Sequence, residues 1–288
     1  MHLPVSIIIV NYNKLTYSRL CLESILQSRP LPAQIICIDN GSADGTVAYL
    51  QDRFPTRARQ AGVEPVTLLN AANVGACTAR NQGLGVADQP YIAFCDNDLM
   101  VRSADWLATL KARLDADAAH GIVGPKLVFP FEPYNIECAG AAISQTGKVQ
   151  YRGRGQARET PQFGQPTEVQ CLISACWLMR HEITDTLGGL DEVFNPAQFE
   201  DFDLCYRARQ ANWKVLYEPA AEMYHFENVT TDGSADVKFR YVTIRNGLEF
   251  KRRWQAMFQQ EAGPPDANCQ WEKLETRPFE RTGMPPIL

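Results

Sequence analysis

The first hundred residues alternate short apolar runs with helical patterns, and this alternation constrains the fold more than any other feature. Each run is rich in β-branched side chains, as buried strands are. The runs cover residues 5–10, 35–38, 66–69 and 91–95. Strands that alternate with helices in this way form a parallel sheet with right-handed crossovers. We therefore predict an α/β fold with a mostly parallel central sheet flanked by helices.

A polar residue follows closely after each of these predicted strands. The four residues are Asn11, Asp39, Asn73 and Asp96. Ligands of open parallel sheets bind outside the carboxyl ends of the strands. We therefore expect these four side chains to meet at one edge of the sheet and to form a ligand site there.

The fourth strand leads into the acidic triplet Asp96-Asn97-Asp98. Two carboxylates two positions apart repel each other and lose hydration at the end of a buried strand, unless a positive charge joins them. A divalent cation that prefers oxygen ligands supplies that charge, and a diphosphate can fill its remaining positions. Because Asp-x-Asp turns are common, the triplet indicates such a site only together with other motifs.

The predicted helices have recognisable starts. Thr16 or Ser18 is a candidate N-cap of the first helix, and Asp44-Gly45-Thr46 opens the second. Phe199-Glu200-Asp201-Phe202-Asp203 opens a later helix, with its acidic residues at the positive end of the helix dipole. The remaining helices are predicted over residues 76–86 and 237–260.

The second half of the chain is less regular. A glycine- and arginine-rich loop covers residues 147–155, and the tail after Gly263 is rich in proline and polar residues, which predicts irregular structure. His225 follows a short predicted strand. The apolar runs that predict further strands or buried segments cover residues 122–128, 136–142, 172–179 and 214–217.

Composition and charge exclude some classes of protein. A net charge of -5 argues against a general nucleic-acid binder. Nine cysteines without a Cys-x-x-Cys pair predict buried free thiols in a reducing compartment. Met1 to Pro4 leads directly into a strand, and no apolar stretch reaches the length of a membrane span. We therefore expect a cytoplasmic protein, with peripheral placement at the inner face of the cell membrane left open.

These motifs, in this order, resemble those of family 2 glycosyltransferases of GT-A fold (a Rossmann-like fold), near the bacterial rhamnosyl- and galactofuranosyltransferase-like branch. The resemblance runs from Val5 to Arg253. It implies a GT-A domain over residues 1–230 and a C-terminal helical extension with an irregular tail over residues 231–288. It rests on Val10-Asn11-Tyr12-Asn13, residues 38–46, Asn73-Val74-Gly75, Arg80-Asn81, Asp96-Asn97-Asp98, residues 188–192, residues 199–203, His225 and Arg245-Asn246.

The resemblance implies a metal and donor site. Asp96, Asp98 and His225 would hold Mn²⁺ or Mg²⁺, although a histidine beside aromatic residues is more often part of the core. Asp39 would accept the N3–H of a uracil or thymine ring. The other residues expected to bind the nucleotide-sugar are Val10, Asn11, Tyr12, Asn73, Arg80, Asp96 and Asn97. For Tyr12 a core position, and for Arg80 a salt bridge, are equally open.

The resemblance also implies the catalytic residues. Asp201 would be the general base that takes the proton of the acceptor hydroxyl, with Glu200 beside it. Trp177, Asp191 and Asp203 are candidates for acceptor binding. The alternative for Glu200, Asp201 and Asp203 is that they only complement the dipole of the helix that they begin. Three acidic residues within four positions are more than this role requires.

The implied activity is an inverting, metal-dependent transfer of a sugar from a UDP- or dTDP-sugar to a hydroxyl of a glycan or lipid-linked saccharide in bacterial surface polysaccharide synthesis. Two alternatives are a nucleotidyltransferase and a catalytically silent sugar-nucleotide- or glycan-binding protein. A nucleotidyltransferase would need a glycine-rich, basic phosphate-binding loop near the N-terminus, and the segment Asn11 to Lys14 is not such a loop.

The basic and aromatic segment Arg245 to Trp254 either contacts a membrane or is a solvated helix face that packs its aromatics inward. A homodimer is also left open.

Overall fold

The computed structural model describes residues 2–227, 229, 239–271 and 274–288. Helices and strands alternate through the first half, as the apolar periodicity predicts. The strands are β1 (Leu3–Asn11), β2 (Pro32–Asp39), β3 (Glu64–Leu69), β4 (Tyr91–Asp96), β5 (Leu99–Val101), β6 (His120–Val128), β7 (Ile136–Cys138), β8 (Ala141–Ile143), β9 (Val149–Tyr151), β10 (Thr167–Glu168), β11 (Cys176–Arg180) and β12 (Lys214–His225).

Nine α-helical segments lie in the described part of the chain. α2 continues through a π-helical turn (Tyr49–Arg53) into α3, and short 3-10 turns cover Pro161–Phe163, Glu192–Phe194 and Asp266–Cys269. The helices are α1 (Leu15–Ile25), α2 (Thr46–Ala48), α3 (Phe54–Gln60), α4 (Ala76–Leu84), α5 (Trp106–Asp115), α6 (His181–Leu187), α7 (Glu200–Gln210), α8 (Phe239–Phe258) and α9 (Phe279–Thr282).

One mixed, mostly parallel sheet forms the centre of the molecule, in the order β10-β12-β6-β11-β4-β1-β2-β3. β1 pairs in parallel with β2 and β4, β2 pairs in parallel with β3, and β6 pairs in parallel with β12. β11 is inserted antiparallel between β4 and β6. The predicted α/β fold with a mostly parallel sheet is confirmed.

Tertiary contacts shift several predicted boundaries. The run at residues 136–142 divides into β7 and β8 around Gly140, whose φ of +83° breaks the strand. Residues 214–217 begin a strand that extends to His225, because β12 pairs with β6 on both sides of an irregularity between Glu218 and Glu222 and pairs with β5 from Met223 onward. Of the run at residues 172–179, only the part from Cys176 forms a strand.

The predicted N-cap of the first helix is wrong. α1 begins at Leu15, one turn before Ser18, and Lys14 precedes it with a left-handed φ of 60°. Oδ2 of Asp44 accepts a hydrogen bond from the backbone N–H of Leu15 at 2.9 Å. A side chain from the next crossover therefore caps this helix, which no local pattern could show.

The long helix α8 packs against the same hydrophobic core as the sheet. Phe250, Trp254 and Phe258 belong to the main core cluster. The aromatic residues of the segment Arg245 to Trp254 therefore pack inward. The predicted boundary between residues 230 and 231, like the predicted helix start at residue 237, lies outside the described residues. Among the described residues, no helix is both long enough and apolar enough to cross a bilayer.

Candidate active site

A cavity of about 630 Å³ opens at the carboxyl ends of β1 and β4. Parallel strands place their polar end residues here, as predicted. The predicted site residues that line it are Val10, Tyr12, Asn73, Arg80, Asp96, Asn97, Asp98, Glu200, Asp201 and His225. Residues from six separate sequence motifs are therefore brought to one place.

The pairing of β5 with β12 places His225 beside the acidic triplet. Leu99 lies opposite His225 in this pair, and the backbone N–H of Phe226 donates to the carbonyl of Asp98 at 3.1 Å. Ligand atoms of Asp96, Asp98 and His225 all lie within 4.8 Å of one another. Two carboxylates and an imidazole at this spacing fit a divalent cation such as Mn²⁺.

Glu137 supports this fit from behind. The imidazole Nε2 of His225 lies 3.4 Å from Oδ1 of Asp98, while its Nδ1 lies 3.4 Å from Oε2 of Glu137. A carboxylate on the second nitrogen is the usual arrangement behind a metal-bound histidine, because it fixes the orientation of the ring. Burial lowers the pKa of His225, but the carboxylates of Asp98 and Glu137 outweigh it and raise that pKa well above the ordinary 6.5.

Arg80 is a buried cation that joins two parts of the site. Its Nη2 donates to Oδ1 of Asp96 at 2.5 Å, and its Nη1 lies 3.2 Å from Oε1 of Glu200. Nη1 also donates to the hydroxyl of Ser174 at 2.7 Å. Burial raises the pKa of Asp96, and Arg80 opposes that rise. Of the two roles left open for Arg80, the structure shows the salt bridge, at a position that also lines the cavity.

Asp201 and Glu200 begin α7 at the wall of the cavity. Oδ2 of Asp201 accepts from the backbone N–H of Ser174 at 3.2 Å, and its Oδ1 accepts from that of Phe202 at 2.8 Å. Burial raises the pKa of Asp201 to about 6, against these hydrogen bonds. Burial, and then the charge of Asp201, raise the pKa of Glu200 to about 8. A carboxylate with a pKa near neutrality suits general-base chemistry.

The residues before α7 have a strained backbone that α8 holds in place. Gln198 and Phe199 have φ values of 81° and 74°, which non-glycine residues rarely adopt. The side-chain amide of Asn246 donates to the carbonyls of Phe194, Ala197 and Gln198 at 2.6, 2.8 and 3.0 Å. The Arg245-Asn246 motif therefore fixes the loop that carries Glu200 and Asp201.

Asp39 and Asn11 lie at the ends of paired strands, just behind the cavity. They are opposite each other in the β1–β2 register, and neither is exposed. Oδ2 of Asp39 accepts from the backbone N–H groups of Gly41 and Ser42 at 3.0 and 2.8 Å. Oδ1 of both side chains is buried, with no donor among the described atoms. Asp39 thus forms a turn and also retains a free acceptor oxygen.

The three candidates for acceptor binding do not line the cavity. Trp177 is completely buried in β11, with its ring 5.7 Å from that of Phe94. Asp191 and Asp203 both pair with Arg253 of α8, at 2.7 and 3.4 Å. These placements correct the expectation: Trp177 fills the core because β11 is central, and the two acids anchor the C-terminal helix.

Two aromatic residues that we did not predict stand at the cavity instead. Tyr151, from the glycine-rich loop, and Trp271, from the tail, both line it, with ring centroids 5.2 Å apart. The guanidinium of Arg154 lies 4.1 Å from the Trp271 centroid. The loop composition was a partial signal for Tyr151. Trp271 had none, because the tail lacks periodicity.

Comparisons with known proteins identify relatives of this chain. The family model described as Glycosyl transferase family 2 matches residues 6–188. "Uncharacterized protein y4gI" of Sinorhizobium fredii is 28% identical over 258 residues, which are 87% of this chain and 27% of that protein. The chain thus spans about a quarter of this relative's length. The N-acetylglucosaminyl-diphospho-decaprenol L-rhamnosyltransferase of Mycobacterium tuberculosis is 27% identical over 250 residues, covering 78% of this chain and 76% of that protein.

Among solved structures, GalNAc-T7 with UDP, GalNAc and Mn²⁺ superposes with a TM-score of 0.63 at 18% identity. The match covers 77% of this chain and 43% of that one. At this identity the likeness concerns the fold, and it confirms the predicted GT-A architecture.

Proposed function

The chain belongs to glycosyl transferase family 2, and on that premise we propose that it transfers a sugar from a UDP- or dTDP-sugar to a hydroxyl of a glycan or lipid-linked saccharide, with inversion. The observation that carries this proposal is the shared cavity. The cluster Asp96, Asp98 and His225 and the carboxylate of Asp201 line the same space. A site that only bound a nucleotide-sugar would not need a base beside the metal cluster.

The donor half of the cavity would hold the nucleoside diphosphate. Asp96, Asp98 and His225 would bind Mn²⁺ or Mg²⁺, which, when bound, stabilises negative charge on the departing diphosphate. Oδ1 of Asp39 is a buried acceptor without a partner among the described atoms, which suits the N3–H of uracil or thymine. Tyr12 and Asn73 line the same half of the cavity.

The catalytic half would activate the acceptor. Asp201, with a pKa of about 6, is ionised at neutral pH and can take the proton of the attacking hydroxyl. Its two backbone hydrogen bonds fix the carboxylate in one orientation. Direct attack by the hydroxyl on the anomeric carbon, with departure of the diphosphate from the other face, inverts the configuration.

Glu200 would assist by binding rather than by proton abstraction. Its pKa of about 8 keeps it largely protonated at neutral pH. Oε2 is buried, with no partner among the described atoms, and the residue lines the cavity. A neutral carboxyl group at this position can hydrogen-bond to a sugar hydroxyl without adding charge next to Asp201.

The acceptor would enter past Tyr151 and Trp271. Aromatic rings at a cavity mouth suit the apolar faces of pyranose rings. The rhamnosyltransferase relative is named for an acceptor in which a saccharide is linked through diphosphate to decaprenol. That relative supports a lipid-linked saccharide as the acceptor class for this chain. Surface polysaccharide synthesis, as the setting, is part of the same proposal.

Thermal-shift measurements with a panel of nucleotide-sugars, with and without Mn²⁺, test the donor half. We expect a UDP- or dTDP-sugar to raise the melting temperature only when Mn²⁺ is present. No stabilisation by any uracil or thymine nucleotide-sugar would contradict the proposal.

The Asp201→Asn variant tests the catalytic half. We expect it to abolish transfer while it keeps metal-dependent donor binding within about twofold, because the amide retains the size and loses the basicity. Asp88→Asn, an exposed change, is the matched control. Equal loss of transfer and donor binding in Asp201→Asn would refute its role as the base.

A further inference from the structure

Helix α8 exposes a stripe of large apolar side chains. Tyr241, Ile244 and Leu248 are 65%, 57% and 64% exposed. Positions i, i+3 and i+7 lie on one face of a helix, so the three side chains form a continuous surface two turns long. An exposed apolar patch of this kind is typical of a site that binds another surface.

The opposite face of α8 is already in use. Val242, Asn246, Phe250, Trp254 and Phe258 repeat every four residues, and all five are buried against the domain. The helix is therefore apolar on both sides, and its stripe Tyr241–Ile244–Leu248 is not required for packing within the described part of the chain.

The charges around the stripe have one dominant sign. Between Phe239 and Phe258 there are five basic residues and one acidic residue, whereas the whole chain carries a net charge of -5. Arg240 and Arg245 are exposed, and the side chain of Arg252 is 70% exposed. The one acid, Glu249, is paired with Arg252 and Arg253. The exposed face is thus apolar along its centre and cationic along its flanks.

We propose that this face of α8 lies on the surface of an anionic lipid bilayer, with Tyr241, Ile244 and Leu248 inserted at the level of the headgroups and Arg240 and Arg252 over the lipid phosphates. Helices that lie in the membrane interface combine an apolar stripe with flanking basic residues in this way. The charges prevent α8 from crossing the bilayer, because basic residues are costly at the centre of a membrane. The proposal concerns a surface and does not depend on the proposed reaction.

The placement also suits a lipid-borne ligand. Thr243 lines the cavity, while its neighbour Ile244 belongs to the exposed stripe. One helix therefore contributes a side chain to the cavity wall and a neighbouring side chain to the bilayer-facing surface. A protein seated on this face would hold its cavity close to the headgroups.

Co-sedimentation with vesicles tests the proposal. We would use vesicles of equal parts phosphatidylcholine and phosphatidylglycerol, and vesicles of phosphatidylcholine alone. We expect the wild-type chain to sediment with the anionic vesicles, and the double variant Ile244→Glu/Leu248→Glu to bind them at least about tenfold more weakly. The double variant Arg240→Gln/Arg252→Gln should lose about fivefold per charge on anionic vesicles and little on neutral ones.

The control is Leu69→Glu, which places an acid at an apolar side chain 44% exposed on the edge strand β3. It should bind vesicles as the wild type does. Melting temperatures of all variants should agree within a few degrees, since every substituted residue is exposed.

Wild-type protein that remains in the supernatant, or equal binding of anionic vesicles by the wild type and the variant Ile244→Glu/Leu248→Glu, would overturn the proposal. So would conversion of a dimer to a monomer by the stripe variant in light scattering, because the stripe would then join two copies of the chain.

Discussion

Two consecutive carboxylates at the start of α7 differ in pKa because their surroundings differ. Asp201 receives two backbone hydrogen bonds, whereas Oε2 of Glu200 has no partner among the described atoms. Hydrogen bonds to a carboxylate favour its ionised form. The pKa is accordingly about 6 for Asp201 and about 8 for Glu200. At neutral pH one group can accept a proton while the other can donate a hydrogen bond.

This difference predicts the acid limb of the pH profile. A base works only when ionised, and Asp201 becomes protonated as the pH falls through about 6. With donor and Mn²⁺ saturating, kcat should therefore fall with a slope of one below that pH, to about a tenth of its plateau one unit lower. Donor binding, measured across the same range, controls for loss of substrate. A profile that stays flat down to pH 4.5 would contradict the assignment.

The metal cluster makes a second prediction at the same scale. Asp98→Asn and His225→Ala should each weaken Mn²⁺ binding, measured by calorimetry, by more than about tenfold, because the first removes the charge of one of the three ligand groups and the second removes a ligand group altogether. Glu137→Gln should weaken it less, since Glu137 only orients His225. Asp88→Asn is the control that removes an exposed acid. Unchanged Mn²⁺ affinity in both ligand variants would remove the cluster as the metal site.

How far single residues could be predicted depended on whether their partners were local. Asp96 and Asp98 follow a strand whose end is evident from its apolar run, so their position was predictable. Trp177 was not, because only the insertion of β11 between β4 and β6 buries it. Glu137 has no motif around it, and its position behind His225 results from pairing of β7 with β6 and of β6 with β12.

At the scale of elements, α8 positions the loop before α7. Asn246 donates to three carbonyls of residues 194–198, and the position of a Cβ at Gly247 would be 3.2 Å from the ring of Phe199. The strained φ values of Gln198 and Phe199 persist because the surrounding structure holds them. The start of α7 therefore depends on a helix that begins nearly thirty residues after α7 ends.

Replacing Asn246 by alanine tests this dependence. The variant leaves buried carbonyls without a donor, so we expect a loss of about 2 kcal/mol in the free energy of unfolding. We also expect kcat to fall by about tenfold while donor affinity stays near the wild-type value, because the affected loop leads to Asp201. Gln255→Ala, an exposed change on the same helix, is the control. A variant that loses stability but keeps its kcat would show that Asn246 only stabilises the fold.

At the scale of the whole molecule, the core accounts for the cysteines. All nine lie in the described part of the chain and are free, and eight of them are buried. Burial raises the pKa of thiols such as Cys37 and Cys77 above their ordinary range, so they are unreactive. Cys269, in the tail, is the exception because it is partly exposed.

Thiol titration with Ellman's reagent checks the packing of the core. One thiol per chain should react in the native state within minutes, and all nine should react after denaturation. Cys269→Ser should remove the fast reaction. Rapid reaction of several thiols in the native protein would mean that the core opens more readily than the described packing implies.

The overall architecture was predictable because strand and helix periods alternate clearly through residues 5–95. The second half resisted prediction for a physical reason. Its strands are short or irregular, and β11 and β12 obtain their partners from strands distant in sequence. Local sequence patterns do not encode such pairings. The order of the motifs does predict them, because it matches that of a known family over most of the chain.

The position of Thr243 and Ile244 on one helix has a consequence for the length of the acceptor. An α-helix with its side chains is about 10 Å across. Consecutive side chains project about 100° apart, so a bilayer on the stripe would bring the headgroups to within roughly that distance of the cavity. The enzyme would then favour acceptors with one or two sugars beyond the lipid diphosphate and act poorly on longer chains. Chain extension would stop early, which suits an enzyme that adds one of the first residues of a polymer.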